Sequence, residues 1–276
     1  MSPEPKRERK RLDVLLVERG LAESRERARA LILAGEVRVA GARVDRAAAL
    51  VPVDADVECG RPKHEYASRG GQKLAHALDV FPITVEGKVA LDAGASTGGF
   101  TDVLLRRGAA RVYAVDVGYG QIDWRLRNDP RVVVMERTNI RYVRELPEAV
   151  QLVTADLSFI SLTLVLQGMV ALSSEEAEFV LLVKPQFEAG REEVGKNGVV
   201  RDVATHKAVL LKVVEHALAL GLHLGGLTAS PLLGPAGNVE FLAWFRRGAD
   251  AVPDFGTSIA QTLEEAEQIR SQGVRD

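Results

Sequence analysis

Five short aliphatic runs limit most tightly how this chain can fold: Val89-Ala90-Leu91, Val112-Tyr113-Ala114-Val115, Val132-Val133-Val134-Met135, Leu152-Val153-Thr154-Ala155 and Phe179-Val180-Leu181-Leu182-Val183. None alternates apolar with polar residues, so each suits burial on both faces, and helix-like segments separate them. That pattern predicts a mostly parallel sheet with helices on both sides, an α/β architecture. Two further strand candidates, 223–229 and 239–245, flank the Pro/Gly-rich loop 231–237 with no helix between them. They predict an antiparallel hairpin that closes a seven-stranded sheet around its antiparallel last strand. A helix is expected around 259–270.

Composition narrows the class. No run approaches the roughly 18 apolar residues of a membrane span, and the first ten residues, rich in Lys, Arg and Glu, lack the apolar stretch of a secretory signal. Cys59 is the single cysteine, which excludes an internal disulfide and a cysteine-rich zinc site. The five histidines lack metal-ligand spacing, so no metal is expected. A cytoplasmic protein without membrane association fits these features. Formal net charge is only −2, but residues 1–75 carry 16 Lys/Arg against 12 Asp/Glu. A basic head on an acidic body suggests a polyanionic partner for the head.

Behind a basic tail at 1–10, the head reads as a small α+β module over 11–60. Ser24 is placed to cap a helix whose Ala28, Leu31 and Ile32 share a face. Gly35 is placed to end it, and 36–44 reads as two strands around a turn at Ala40-Gly41. Arg25, Arg29, Arg38 and Arg43 would project from this helix and hairpin, a surface able to follow a phosphate backbone. The run Arg11-Leu12-Asp13 to Arg19-Gly20-Leu21, with Ser24 to Ala28 and Gly35 to Gly41, resembles the S4 RNA-binding domain. Arg11 and Arg69 join the four arginines above as candidate RNA contacts.

After a glycine- and charge-rich linker at 61–72, the first apolar run leads into Asp92-Ala93-Gly94-Ala95-Ser96-Thr97-Gly98-Gly99-Phe100. A strand, a glycine turn and a helix from about Thr101 suit a nucleotide-like ligand, because glycines let the backbone approach it closely. No Lys-Ser/Thr pair follows, which excludes a P-loop, and Ala95-Ser96-Thr97 breaks the dinucleotide spacing. Asp116, at the end of the next strand, is placed to accept hydrogen bonds from ribose hydroxyls. A dinucleotide stays open on these facts. S-adenosylmethionine explains more, since it has no pyrophosphate to hold. Asp92 and the turn Gly94, Ala95, Ser96, Thr97, Gly98 and Gly99 would then hold its amino-acid portion, and Thr138 and Asn139 would border the adenine.

Asp156 ends the fourth run and Lys184 the fifth, where ligands of an open parallel sheet bind. Lys73 lies on the helix entering the second domain and Glu240 on the last strand. In chain order Lys73, Asp156, Lys184 and Glu240 are similar to the Lys-Asp-Lys-Glu set of the FtsJ-like RNA ribose 2′-O-methyltransferases. Together with the S4 module, Ser68 to Leu74, Val117 to Gln121, Arg127 to Arg131 and Gly234 to Glu240, the arrangement resembles the TlyA family over about residues 11 to 247.

The resemblance implies a Rossmann-like methyltransferase domain at 73–250, a C-terminal helix or tail at 251–276, S-adenosylmethionine as cofactor and ribosomal RNA or ribosomal subunits as partner. It implies methyl transfer to a ribose 2′-hydroxyl of cytidine in 16S or 23S rRNA. By the same analogy Lys184 acts as base and Asp156 positions it, while Lys73 and Glu240 orient the ribose. A ribose hydroxyl attacks only as its proton is removed, which a lysine can do if its own proton is loosely held. The region 187–200 reads as a mobile loop over the site, in the role of a lid or of a connection. Two rival readings are a non-catalytic RNA-binding or ribosome-assembly factor and, from the hemolysin label that members of the family often carry, a membrane-active hemolysin. The chain offers the second no apolar span.

Overall fold

The computed structural model describes residues 8–22, 24–33, 35–59, 65–234, 236–248 and 255–273. Most of the basic tail, linker residues 60–64, Pro235 and the stretches 249–254 and 274–276 lie outside them. The chain divides into two compact units, with the boundary between His64 and Glu65.

The first unit runs β1 (Arg9–Arg11), α1 (Leu12–Glu18), α2 (Arg25–Leu33), β2 (Val37–Val39), β3 (Ala42–Arg43), β4 (Leu50–Pro52) and β5 (Val57–Cys59). β1 pairs with β4, and β2 lies between β3 and β5, all antiparallel. The Ser24 hydroxyl accepts the Arg27 N–H at 3.1 Å, capping α2. Ala40 and Gly41 both take positive φ, 50° and 76°, as a tight turn between twisted strands requires. Leu12, Leu15, Leu16, Ala28, Ile32 and Val37 close a small core between the helices and strands.

The second unit begins with α3 (Gly70–Val80), which starts inside the stretch read from sequence as linker. There follow β6 (Val89–Ala93), α4 (Gly99–Arg106), β7 (Arg111–Val115), α5 (Trp124–Arg127), β8 (Val132–Met135) and β9 (Val150–Ala155). The chain continues through α6 (Leu166–Leu172), β10 (Ser173–Val183), α7 (Pro185–Glu188), α8 (Val203–Ala219), β11 (Leu222–Ala229), β12 (Phe241–Arg247) and α9 (Phe255–Gly273). Seven strands form one sheet in the order β11-β12-β10-β9-β6-β7-β8. β12 is antiparallel to both neighbours. The hairpin therefore does not simply add to the edge: its second strand inserts between β10 and β11.

Alternate strand residues feed opposite cores, as the two-residue period of a strand dictates. Phe179, Leu181, Val183, Phe241, Ala243 and Phe245 face α6, α8 and α9. Val180, Leu182, Leu242 and Trp244 face α3 and α4. This double cover explains the continuous apolar runs. It also leaves the carboxyl ends of the parallel strands as the edge where loops can carry chemistry.

Register then fixes the neighbours at that edge. Ala93 of β6 pairs with Ala155 of β9, Leu181 of β10 also pairs with Ala155, and Val183 pairs with Phe241 of β12. The residues immediately after or before these, Gly94, Asp156, Lys184 and Glu240, are thereby gathered along one line.

Candidate functional site

The glycine turn lies directly on this line. Gly94 has φ +85°, and a Cβ there would stand 2.4 Å from the Asp156 carbonyl oxygen, so the turn can rest against the end of β9 only as glycine. The Asp156 N–H closes the contact by donating to the Ala93 carbonyl at 2.9 Å. Ser96, also left-handed at φ 48°, turns its N–H onto Asp116 Oδ2 at 2.8 Å, and Gly118 N–H donates to Oδ1 at 2.6 Å. Both Asp116 oxygens keep a second acceptor site.

A shallow cleft, open to solvent, follows, lined by Ala95, Ser96, Ala114, Asp116, Gly118, Gln121, Ile122, Val134 and Glu136. Ala114, Ile122 and Val134 supply apolar walls for a flat ring. Asp116 and Glu136 supply acceptors for hydroxyl or amine donors. Glu136 accepts from Gly120 N–H and from Arg127, whose guanidinium holds its carboxyl below the usual range.

Three cofactor expectations change at this point. Asp92 is completely buried: its carboxyl accepts from Thr101 Oγ1 at 2.6 Å and stands 3.3 Å from Thr154 Oγ1. It braces the turn from behind and offers no side-chain atom to the cleft. Thr138 and Asn139 are not in the lining. Asn139 Oδ1 accepts the Arg141 N–H, and Thr138 Oγ1 donates to the Glu136 carbonyl. Glu136, which the sequence did not single out, is among the lining residues. Gly99 packs against Ser68 and Gly71, joining α4 to the start of α3.

Burial pushes the Asp92 carboxyl up to about 7, helped by the nearby charge of Asp156 and opposed by the Thr101 hydrogen bond. The folded state therefore holds this proton more tightly than the unfolded chain. Asp92's contribution is full at acidic pH and is lost as pH rises through 7. Asp92→Asn is expected to flatten that part of the pH–stability curve, a difference on the order of a few kcal/mol. Thermal melts of both proteins between pH 5.5 and 8.5 check it, and parallel curves would contradict it.

Beside the turn stand two ion pairs. Lys184 Nζ lies 2.5 Å from Asp156 Oδ1, off the line of a hydrogen bond, and donates to Ser158 Oγ at 3.1 Å. Lys73 Nζ lies 2.5 Å from Glu240 Oε2. Gln186, two residues beyond Lys184, links the pairs by donating to Glu240 Oε1 at 3.4 Å. Pro185 holds Lys184 in extended geometry, φ −110° and ψ 103°, and opens α7. Glu240 stands one residue before β12 rather than on it, and Gly234 leaves room for its carboxylate.

The loop after Asp156 adds features that sequence reasoning missed. Phe159 is 90% exposed and left-handed at φ 63°, a strained conformation for a bulky residue. Its ring meets Phe187 at 5.0 Å between centroids. Glu188 is buried and accepts from Ser161 Oγ at 2.5 Å and Leu162 N–H at 2.6 Å, clamping this loop to the segment that carries Lys184. A phenylalanine in sequence reads as core, and Glu188 reads as surface. Only long-range contacts show otherwise. The region 187–200 is also more anchored than a free loop. Asn238 bonds both Val200 N–H and the Gly198 carbonyl, and the His206 ring is 3.1 Å from the Val200 carbonyl oxygen.

In the first unit, Arg11, Arg25 and Arg29 converge on Asp13. Arg38 and Arg43 face each other across the β2–β3 pair. Arg38 donates to the Gly41 carbonyl, and Arg43 lies over Gly35. Arg69 is exposed just before α3, in the second unit. Among the described residues no group of three His, Cys, Asp or Glu is placed to hold a metal ion, and no helix is long and apolar enough to cross a membrane.

Comparison with known proteins follows the same division. The S4 domain profile matches residues 10–57 and the FtsJ-like methyltransferase profile residues 66–247. A 16S/23S rRNA (cytidine-2′-O)-methyltransferase, TlyA of Mycobacterium tuberculosis, is 52% identical over 88% of this chain and 91% of its own length. Hemolysin A of Brachyspira hyodysenteriae is 40% identical over 85% of this chain and 99% of its own. A solved structure from Streptococcus thermophilus, provisionally named a hemolysin, superposes with a TM-score of 0.75 at 40% identity, covering 97% of this chain and 99% of that one.

Proposed function

From the premise that this chain belongs to the TlyA family of S4-bearing, FtsJ-like methyltransferases, we propose that it transfers a methyl group from S-adenosylmethionine to the 2′-hydroxyl of a cytidine in 16S or 23S ribosomal RNA. The observation that carries this reading is the placement of Lys184 and Asp156 against the glycine turn. A base and an open cleft along the same carboxyl edge of the sheet form a site for alkylating a hydroxyl.

The cleft residues Asp116 and Glu136 would hold the cofactor's polar edges, and Ala114, Ile122 and Val134 its ring. Bound there, the cofactor supplies an electrophilic methyl on a sulfonium. Lys184 Nζ, after passing one of its own protons to the Asp156 carboxylate beside it, takes the proton of the attacking hydroxyl, with Ser158 fixing its position. Lys73 and Glu240, paired directly with each other and tied to the Lys184 segment by Gln186, orient the ribose. These groups hold reactants in line, and such positioning is worth many orders of magnitude in rate. The S4 unit grips structured RNA in the cytoplasm, where ribosomes are, and the target nucleotide swings out to reach the strand ends.

Phe159 fits as the surface on which that displaced base stacks. Phe159→Ala is expected to weaken productive RNA binding about ten-fold or more, given roughly 1–3 kcal/mol per stacked base. It should appear in KM for RNA with cofactor affinity unchanged, and an unaltered KM would rule the role out. The reading as a whole is tested by tritium transfer from labelled S-adenosylmethionine to unmodified rRNA and to ribosomal subunits. Incorporation into neither would overturn it. A non-catalytic assembly factor would bind the RNA and transfer nothing.

A further inference from the structure

The buried carboxylate of Asp13 is the least expected feature of the basic unit. It stands in the first turn of α1, completely inaccessible to solvent, yet three guanidinium groups, two from α2 and one from the end of β1, meet on it. Arg11 grips both oxygens, Nε to Oδ1 at 3.0 Å and Nη2 to Oδ2 at 2.9 Å. Arg29 Nε reaches Oδ2 at 3.2 Å and Arg25 Nη2 reaches it at 3.4 Å. The Arg11 hydrogen bonds, reinforced by Arg29 and Arg25, hold the Asp13 carboxyl far below the ordinary carboxylate range, so it stays charged. The arginine side chains themselves remain 42%, 51% and 49% exposed for Arg11, Arg25 and Arg29.

An arginine has five N–H donors in a rigid fork. Beyond those given to Asp13, each of the three keeps at least three. One buried anion thus spends few donors and fixes three long side chains that would otherwise each wander among many rotamers. Ordering them in advance removes an entropy cost that RNA binding would otherwise carry. The cluster is still net positive, with three cations around one anion.

We propose that Asp13 is a positioning residue for RNA, holding Arg11, Arg25 and Arg29 as one preformed receptor for the phosphates of an RNA backbone. The inference rests on the reading of this face as an RNA contact. It has a consequence of unusual sign. Asp13→Asn removes a negative charge from a surface meant for a polyanion, so charge alone would tighten binding. Loss of the anchor weakens it instead.

The test uses the full chain and in-vitro-transcribed 16S and 23S rRNA, with the apparent Kd followed from 50 to 300 mM KCl. Asp13→Asn is expected to bind about ten-fold more weakly, with a salt slope shallower by one or two phosphate contacts. Binding as tight as or tighter than the unsubstituted protein, at unchanged slope, would overturn the inference. Asp13→Glu keeps the charge and moves the anchor by one methylene. It should give an intermediate loss, so the question remains answerable if Asn unfolds the unit, and no loss would again count against it. The double variant Arg25→Gln/Arg29→Gln separates the two levels. If it binds normally, the RNA reading of this face fails. If it weakens binding while both Asp13 variants do not, only the role of Asp13 fails.

Discussion

Lys184→Ala is expected to lower methyl transfer by about 10²- to 10⁴-fold, the usual contribution of a positioned general base, while leaving cofactor binding intact. The cofactor cleft is lined by residues of β6, β7, β8 and their loops, and Lys184 is not among them. Its partner Asp156 is 23% exposed at the side chain, but Oδ1, the oxygen that faces Lys184, is buried without a hydrogen bond, so some loss of stability is expected beside the loss of activity. Lys184→Arg sharpens the point. Arginine preserves the positive charge but cannot accept a proton at any accessible pH, so it should be as inactive as alanine. Single-turnover transfer rates with saturating cofactor, alongside calorimetric cofactor affinity, measure both. Recovery of activity by arginine would reassign Lys184 from base to electrostatic support.

Glu240→Ala should instead act first on stability. Lys73 and Glu240 are almost fully enclosed, with side chains 10% and 1% exposed. Removing one member of a buried pair leaves an unpaired charge without water, typically costing about 3–5 kcal/mol. Gln186 loses its acceptor at the same time. The companion variant Lys73→Met/Glu240→Leu removes both charges. It should recover most of the stability, because well-packed apolar replacements of buried pairs are often neutral or better, and it should remain inactive. Urea unfolding midpoints and transfer assays on the three proteins separate these effects. A stable, inactive Glu240→Ala would mean that the pair is not held out of water, and an active double variant would remove it from the chemistry.

These expectations came to different degrees from the sequence. The sheet was legible because its strands are covered on both faces, which leaves uninterrupted apolar runs. The start of β10 was not legible: residues 173–178 are mostly polar, and the pairing with β9 shifts register between Ser173 and Glu178. Only the start of α3 was hidden, because Gly70 and Gly71 read as linker, while the helix itself was expected to carry Lys73. The structure uses Gly71 for close packing, since a Cβ there would meet Tyr66 at 2.5 Å.

Asp156 and Lys184 could be placed at strand ends, and the resemblance to the FtsJ-like set added Lys73 and Glu240. Strand register brings Asp156, Lys184 and Glu240 together, and an ion pair joins Lys73 to Glu240. Asp13, Glu136, Phe159 and Glu188 could not be picked out. Their roles depend on partners that only the fold supplies: three arginines, the cleft, the opposite ring of Phe187, and the amide of Leu162. Asp92 shows the converse. Its place at the end of a strand was read correctly, but sequence carries no sign of which way a side chain turns, and here it turns into the core.

The most direct test of the central claim is nucleoside analysis by mass spectrometry of rRNA treated with the purified protein and S-adenosylmethionine carrying a deuterated methyl group. The label is expected on the ribose of cytidine, as 2′-O-methylcytidine, and should disappear with Lys184→Ala. Label on a base, or no label in rRNA or subunits under conditions where the protein binds its cofactor, would contradict it.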